Sequence, residues 1–308
     1  MSDRHWFLTE FSSDKSVRYI KLPDTRAQTG TPVAVIRRGK QSGRRWYPPT
    51  RLEAPDIVAR MFESADAYDR FMGRYSTLLA HFFVDFAGVI DGQTVLDVGS
   101  GPGALTRELI ARLGDRCVTA VDPSPQFIDA IHGRHPEIDA RVAPAEDLPW
   151  EDDSFDACLS QLVVHFMTSP VEGLREMRRV TRHGGTIAAC VWDLAGGRSP
   201  VSPFWEAASQ VGRVIDESDR PGAREGHLAE LFAAAGLDDI RATSLTIEIE
   251  HSSFEEWWEP FTLGVGPAGA HFRSLADPDR ERLREACLAL VTHSPRIPAT
   301  AWAVAGQA

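Results

Sequence analysis

The chain has 308 residues, 43% hydrophobic and 25% charged, which fits one elaborated domain or two modest ones and excludes a disordered or fibrous chain. No run approaches the roughly 20 apolar residues of a membrane span, and the first five residues lack the layout of a secretory signal, so no membrane association and a cytoplasmic location are expected. The net charge of −11 opposes a broad nucleic-acid-binding face, although residues 1–60 hold 12 Lys or Arg against 6 Asp or Glu, leaving −17 on the other 248.

In chain order, residues 1–54 show little periodicity and much Gly, Pro and Arg, as in Arg37, Arg38, Lys40, Arg44 and Arg45; they are expected to form a flexible basic arm. A helical stripe begins with Ile57, Val58, Met61 and Phe62, continues through Tyr68, Phe71, Met72 and Tyr75, and is followed by a second amphipathic helix over Ser76–Phe86. Strands and helices then alternate. Strands are expected over 94–98, 117–121, 140–142, 155–159 and 186–192, with helices over 104–113, 126–133 and 171–180. Apolar strands with little polar alternation point to a parallel sheet covered on both faces. Beyond Asp193 come a loose insertion (193–226), a helix over 226–235, a strand over 243–250 with one wet face, a mainly helical stretch (251–297) and a last strand over 299–305. The division expected is therefore 55–192 for a cofactor-binding core with cover helices, and 193–308 for the rest of the sheet with substrate-cap insertions. Gly264, Gly266, Pro267 and Gly269 read as a loop over the site. The four cysteines are far apart, the first three in apolar strand-like runs, and are expected to be buried and structural, with no metal site.

The chemistry concentrates at Val95-Leu96-Asp97-Val98-Gly99-Ser100-Gly101-Pro102-Gly103-Ala104, where a strand feeds a glycine-rich turn opening a helix. Such glycines let backbone approach a ligand with positive φ, and the helix start favours an anionic group. Gly99, Gly101 and Ala104 also satisfy the dinucleotide pattern, which keeps a NAD-dependent oxidoreductase open at this step. Asp122, at the end of the next strand and 19 residues after Gly103, can accept hydrogen bonds from both hydroxyls of a ribose. Turn and acid together indicate a nucleoside ligand.

These residues resemble the first motifs of class I S-adenosylmethionine-dependent methyltransferases, in particular the ubiquinone/menaquinone-biosynthesis-like (type 11) branch. Asp122-Pro123-Ser124, Ala145-Glu146-Asp147-Leu148-Pro149-Trp150, Ser154-Phe155-Asp156, Ser160–His165 and Glu176–Val180 with Gly184-Gly185 follow in the family's order. The resemblance covers about residues 61–192 well and the last third only in layout. It implies a doubly wound, mostly parallel, seven-stranded Rossmann-like α/β sheet with an antiparallel last strand and a helical cap, and S-adenosyl-L-methionine as cofactor. Carried over, Gly99, Ser100, Gly101 and Gly103 would line the methionine moiety, with Asp97 orienting its amino group. Asp122 would hold the ribose, Pro123 and Ser124 one edge of the adenine, and Ala145 and Glu146 the other. Gln161 would lie under the sulfonium, Tyr68 would close over the methionine and Arg74 would pair with its carboxylate. Ala143-Pro144 stands where members often have Gly-Asp, so an aspartate contact to the adenine amine is not expected.

Methyl transfer needs donor and acceptor aligned more than it needs a dedicated side chain. If the acceptor requires a base, His165 past the fourth strand is the candidate. Trp192, Trp205, Trp257 and Trp258, among other late aromatics, suit an apolar or aromatic small-molecule acceptor as well as they suit a core. The competing readings are a non-catalytic nucleoside-binding protein, or one that docks RNA or protein through its basic arm. A homo-oligomer is left open.

Overall fold

The computed structural model describes residues 65–212, 214–291 and 295–308. The arm expected over 1–54 and the stripe of Ile57, Val58, Met61 and Phe62 lie outside the described residues. Helix α1 (Ala65–Tyr68), a π-helical turn (Asp69–Gly73) and α2 (Arg74–Ala87) form one continuous helical run. The two helices expected here are thus joined without a break. Gly88, in the left-handed region at φ 76°, ends the run.

The sheet is built from β1 (Val95–Val98), β2 (Val118–Asp122), β3 (Asp139–Val142), β4 (Phe155–Gln161), β5 (Thr181–Trp192), β6 (Asp238–Glu250) and β7 (Arg296–Gln307). Its order is β3-β2-β1-β4-β5-β7-β6. Strands β1 to β5 pair in parallel, and β7 runs antiparallel between β5 and β6. This is the doubly wound sheet with an antiparallel last strand that the sequence indicates. Alternate side chains serve two layers. Ala157, Leu159, Ala188 and Cys190 face one core with α2 and α3 (Ala104–Leu113), whereas Leu96, Val98, Cys158, Ile187 and Val191 face the other. Helix α4 (Pro125–Arg134) packs Ile128 and Ile131 on Ala120 and Ala140. Leu174 and Met177 of α5 (Pro170–Val180) close the second core.

After β5 come α6 (Ser202–Val211) and α7 (His227–Ala234), then between β6 and β7 the helices α8 (Phe254–Thr262), α9 (Gly266–Ser274) and α10 (Asp277–Leu290). The segment of Gly266, Pro267 and Gly269, expected as a loop, is helix α9. Its Gly269 lets the helix lie directly on the Gly264 backbone, because an added Cβ would sit 2.5 Å from the Gly264 carbonyl carbon. Cys158, Cys190 and Cys287 are buried thiols, but Cys117 is half-buried in a short turn before β2 rather than in a strand. Among the described residues no helix is long and apolar enough to cross a membrane.

Candidate active site

A cavity of about 350 Å³ opens at the carboxyl ends of β1, β2 and β4, where open α/β sheets bind ligands. The turn after β1 forms its floor. Gly99 and Gly101 have φ of 72° and 54°, and a Cβ on Gly99 would stand 2.5 Å from both methyls of Val163, so only glycine fits there. The N–H groups of Gly99 and Ser100 both donate to the Val121 carbonyl, at 2.8 and 3.0 Å, and that of Gly101 donates to Asp122 Oδ2 at 2.9 Å. The turn's amides are therefore spent on its own shape. The opening residues of α3, Ala104 and Leu105, line the cavity instead and supply the helix-start donors that lack intrahelical partners.

Asp122 ends β2, and its Oδ1 accepts from the Ser124 N–H at 2.8 Å. Each oxygen keeps a second lone pair for a ligand hydroxyl. Burial pushes its carboxyl up to about 6 against the pull of those two backbone bonds. Asp97 is completely buried, and burial pushes it up to about 7 while the Thr106 hydroxyl donates to its Oδ2 at 2.6 Å. Its Oδ1, the Ser100 hydroxyl and Gln161 Oε1 are buried without a hydrogen-bond partner, and all three residues line the same cavity. Unpartnered buried polar atoms are costly. Three around one cavity mark a ligand's place.

Tyr68, Pro123, Ser124, Ala145, Glu146 and Gln161 line this cavity as well. Burial pushes the Tyr68 phenol up to about 12, with Ser76 bonding to it and Phe127 edge-on at 5.6 Å. Glu146 accepts from the Ser169 N–H at 3.0 Å, and Gln161 Nε2 donates to the Ser76 carbonyl at 3.0 Å, tying the cover helix to the end of β4. Leu162 just beyond has φ 63°, a costly conformation for a branched side chain and one that collects at functional sites. Sequence reasoning did not mark it.

Several expected residues lie elsewhere. Gly103 starts α3 at φ 97° without lining the cavity. Arg74 does not reach it either, being ion-paired with Glu256 of α8. His165 is 6% exposed, its ring lies 3.9 Å from Phe166, and burial pushes it down to about 3. That imidazole is off the cavity wall and a poor base. The described tryptophans mostly build the cap's core: Trp192 and Trp258 are buried, and Trp205 donates to Glu217 at 3.1 Å. Trp257 lines a second cavity, of about 400 Å³, between the cover helix and α8. The NAD-dependent reading fails on topology, since the segment after β5 adds an antiparallel pair rather than a second βαβαβ half.

Fold and site together define a doubly wound α/β protein with a glycine turn and a buried acid at the carboxyl ends of its strands. A family model described as "Methyltransferase domain" matches residues 96–189. An uncharacterised methyltransferase of Mycobacterium tuberculosis is 38% identical over 152 residues, 49% of this chain and 58% of that relative's length. A demethylmenaquinone methyltransferase of Paenarthrobacter aurescens is 31% identical over 217 residues, covering 62% of this chain and 83% of that protein. The fold matches the solved phosphoethanolamine N-methyltransferase 2 of Haemonchus contortus, in complex with phosphomonomethylethanolamine and S-adenosylhomocysteine, with TM-score 0.53 and 16% identity over 84% of this chain and 61% of that one. The chain belongs to the methyltransferase family, whose cofactor is S-adenosylmethionine.

Proposed function

We propose that the protein is an S-adenosylmethionine-dependent methyltransferase acting on a small, apolar or aromatic acceptor. The observation that carries this reading is the convergence of the Gly99–Pro102 turn, Asp122 and the unpartnered buried atoms of Asp97, Ser100 and Gln161 on one cavity. The residues fit the cofactor. Asp122 offers two carboxylate lone pairs to ribose hydroxyls, and the start of α3 offers amides to a carboxylate. Ser100 and Asp97 would hold the methionine end, Gln161 Oε1 would lie toward the sulfonium, and Pro123, Ser124, Ala145 and Glu146 would flank the adenine. When bound, the cofactor supplies an activated methyl group for in-line displacement. The chain's part is then to hold the acceptor in line and to exclude water. Arg74 and His165 are left out of this assignment, because one is paired away from the cavity and the other lies off its wall.

Calorimetric titration with S-adenosylmethionine, its demethylated product and NADH tests the reading. Binding of the first two and not of NADH is expected. Asp122→Asn turns one acceptor oxygen into an amide facing a backbone N–H, so a loss of about tenfold or more is expected. Binding of NADH alone, or no binding at all, overturns the reading.

A further inference from the structure

The second cavity has a lining unlike the first. Its floor is apolar, from Phe71, Met72, Val201, Trp257 and Phe261, and its polar feature is a buried pair. The Tyr75 hydroxyl lies 2.9 Å from His251 Nε2, both residues being 4% exposed. They are 176 positions apart, on α2 and just past β6. His251 Nδ1 is buried with no partner, although its backbone N–H is satisfied by the Pro295 carbonyl at 2.9 Å. With Nε2 accepting from Tyr75, Nδ1 carries the ring proton in a buried position.

Charge at the rim is already neutralised. Arg74 pairs with Glu256, Arg70 with Glu259, and Asp69 with Arg134 at 2.6 Å. Glu256 also accepts from the N–H and hydroxyl of Ser252 at 2.6 and 2.7 Å. A guest with a carboxylate or ammonium head therefore finds no spare ionic partner among these groups. A guest with a neutral hydroxyl finds Tyr75, whose oxygen keeps a lone pair when its proton is donated to His251. Burial and the neighbouring Arg74 also keep His251 uncharged, pushing it down to about 4 despite Glu256.

One helical run borders both cavities: Tyr68 and Ser76 line the first, and their chain neighbours Asp69 and Tyr75, with Phe71 and Met72, line the second. Met72 falls within the π-helical turn, a feature that recurs at functional positions.

We propose that the second cavity is the acceptor chamber for a flat, uncharged molecule bearing a phenolic or enolic hydroxyl, anchored through that hydroxyl by the Tyr75–His251 pair. The proposal rests on the first cavity holding the methyl donor. Trp257 and Phe261 supply flat apolar surface for the guest's body. Tyr75 and His251 set the position of its oxygen.

The test is a ligand-observed NMR titration at neutral pH with para-cresol, para-methylanisole and para-toluidine, three uncharged molecules of one shape with different heads. The cresol is expected to bind about tenfold more tightly than the other two, since a site built around a hydroxyl rejects analogues lacking it. Tyr75→Phe and His251→Asn should each erase that preference while calorimetric affinity for S-adenosylmethionine, read in the other cavity, stays within about twofold and shows the variants to be folded. Trp257→Ala should weaken all three probes alike. Equal binding of the three probes, or a preference that survives in both variants, overturns the proposal with the cofactor assignment intact. Failure of the wild-type protein to bind S-adenosylmethionine overturns the function on which the proposal rests.

Discussion

Gly99→Ala is the sharpest probe of the cofactor turn, because the structure separates its cost into two parts. Alanine at φ 72° carries the left-handed penalty of about 1–2 kcal/mol. Its Cβ would also stand 2.5 Å from both Val163 methyls and 3.0 Å from the Val163 Cβ, an overpacking worth about 1–3 kcal/mol. Together these predict a loss of ~2–5 kcal/mol. Gly101 is an internal control two residues away: its φ is 54°, but nothing lies within 4 Å of an added Cβ, so Gly101→Ala should lose only the backbone part, ~1–2 kcal/mol. At about 2–4 °C per kcal/mol for a chain of this order, Gly99→Ala should melt roughly 4–20 °C below the wild type, and clearly below Gly101→Ala. Differential scanning calorimetry without ligand reads both. Val163 lines the cofactor cavity, so Gly99→Ala should also bind S-adenosylmethionine more weakly. If the two variants melt within about 1 °C of each other, the packing of the turn on Val163 is not what restricts position 99.

Cofactor binding should depend on pH through Asp122. Its carboxyl is raised from 3.8 to about 6 in the free protein, and ribose hydroxyls favour the charged form, so affinity should rise with pH up to about 6 and then level off, with up to tenfold lost per pH unit below. Calorimetry between pH 5 and 8, roughly the range where most proteins are most stable, checks it; a flat profile would remove Asp122 from the contact. In the free protein the sign for stability is opposite. Asp97 and Asp122 hold protons that the unfolded chain releases, so their contribution is present below 3.8 and is lost as pH rises through about 6 to 7. Phe204→Ala tests the aromatic cap as core: Phe204 is fully buried and stacked on Phe261 at 4.6 Å, so a loss of about 3–5 kcal/mol in denaturant unfolding is expected, whereas a loss below about 1 kcal/mol would show the cap to be loosely packed.

Legibility in the sequence followed the range of the interaction that shapes each residue. Helix Ala104–Leu113 has the bounds that the Leu105, Leu109 and Leu113 stripe predicts, since both ends are set locally by glycine at 103 and 114. Strand ends were less legible. Strand β5 starts at Thr181 and β6 at Asp238, each five residues before the apolar run suggests, because Thr181 pairs with Phe155 and Asp238 with Gln307 across register irregularities that side-chain pattern does not signal. The turn and Asp122 were readable because one strand–turn–helix unit and the next strand end place them within about two dozen residues of each other.

The rest of the site was set by contacts that no spacing encodes. Arg74 stands on the cover helix, yet Glu256, 182 residues on, captures it at the second cavity. His165 follows the β4 end as a base would, yet the packing of Phe166 and burial remove it from the cavity. The aromatic run after β5 gave composition without direction, and stacking of Phe204, Phe254, Trp258 and Phe261 assigned most of it to the core. Tyr75 read as one more apolar member of a helical stripe, and His251 fell unmarked at the start of the stretch 251–297 expected to be mainly helical. Only the antiparallel β6–β7 pair, which delivers position 251 to the end of the sheet beneath α2, turns them into a pair. The donor half of such a site is carried by a local motif; the acceptor half is made by tertiary contacts, and those decide which molecule is methylated.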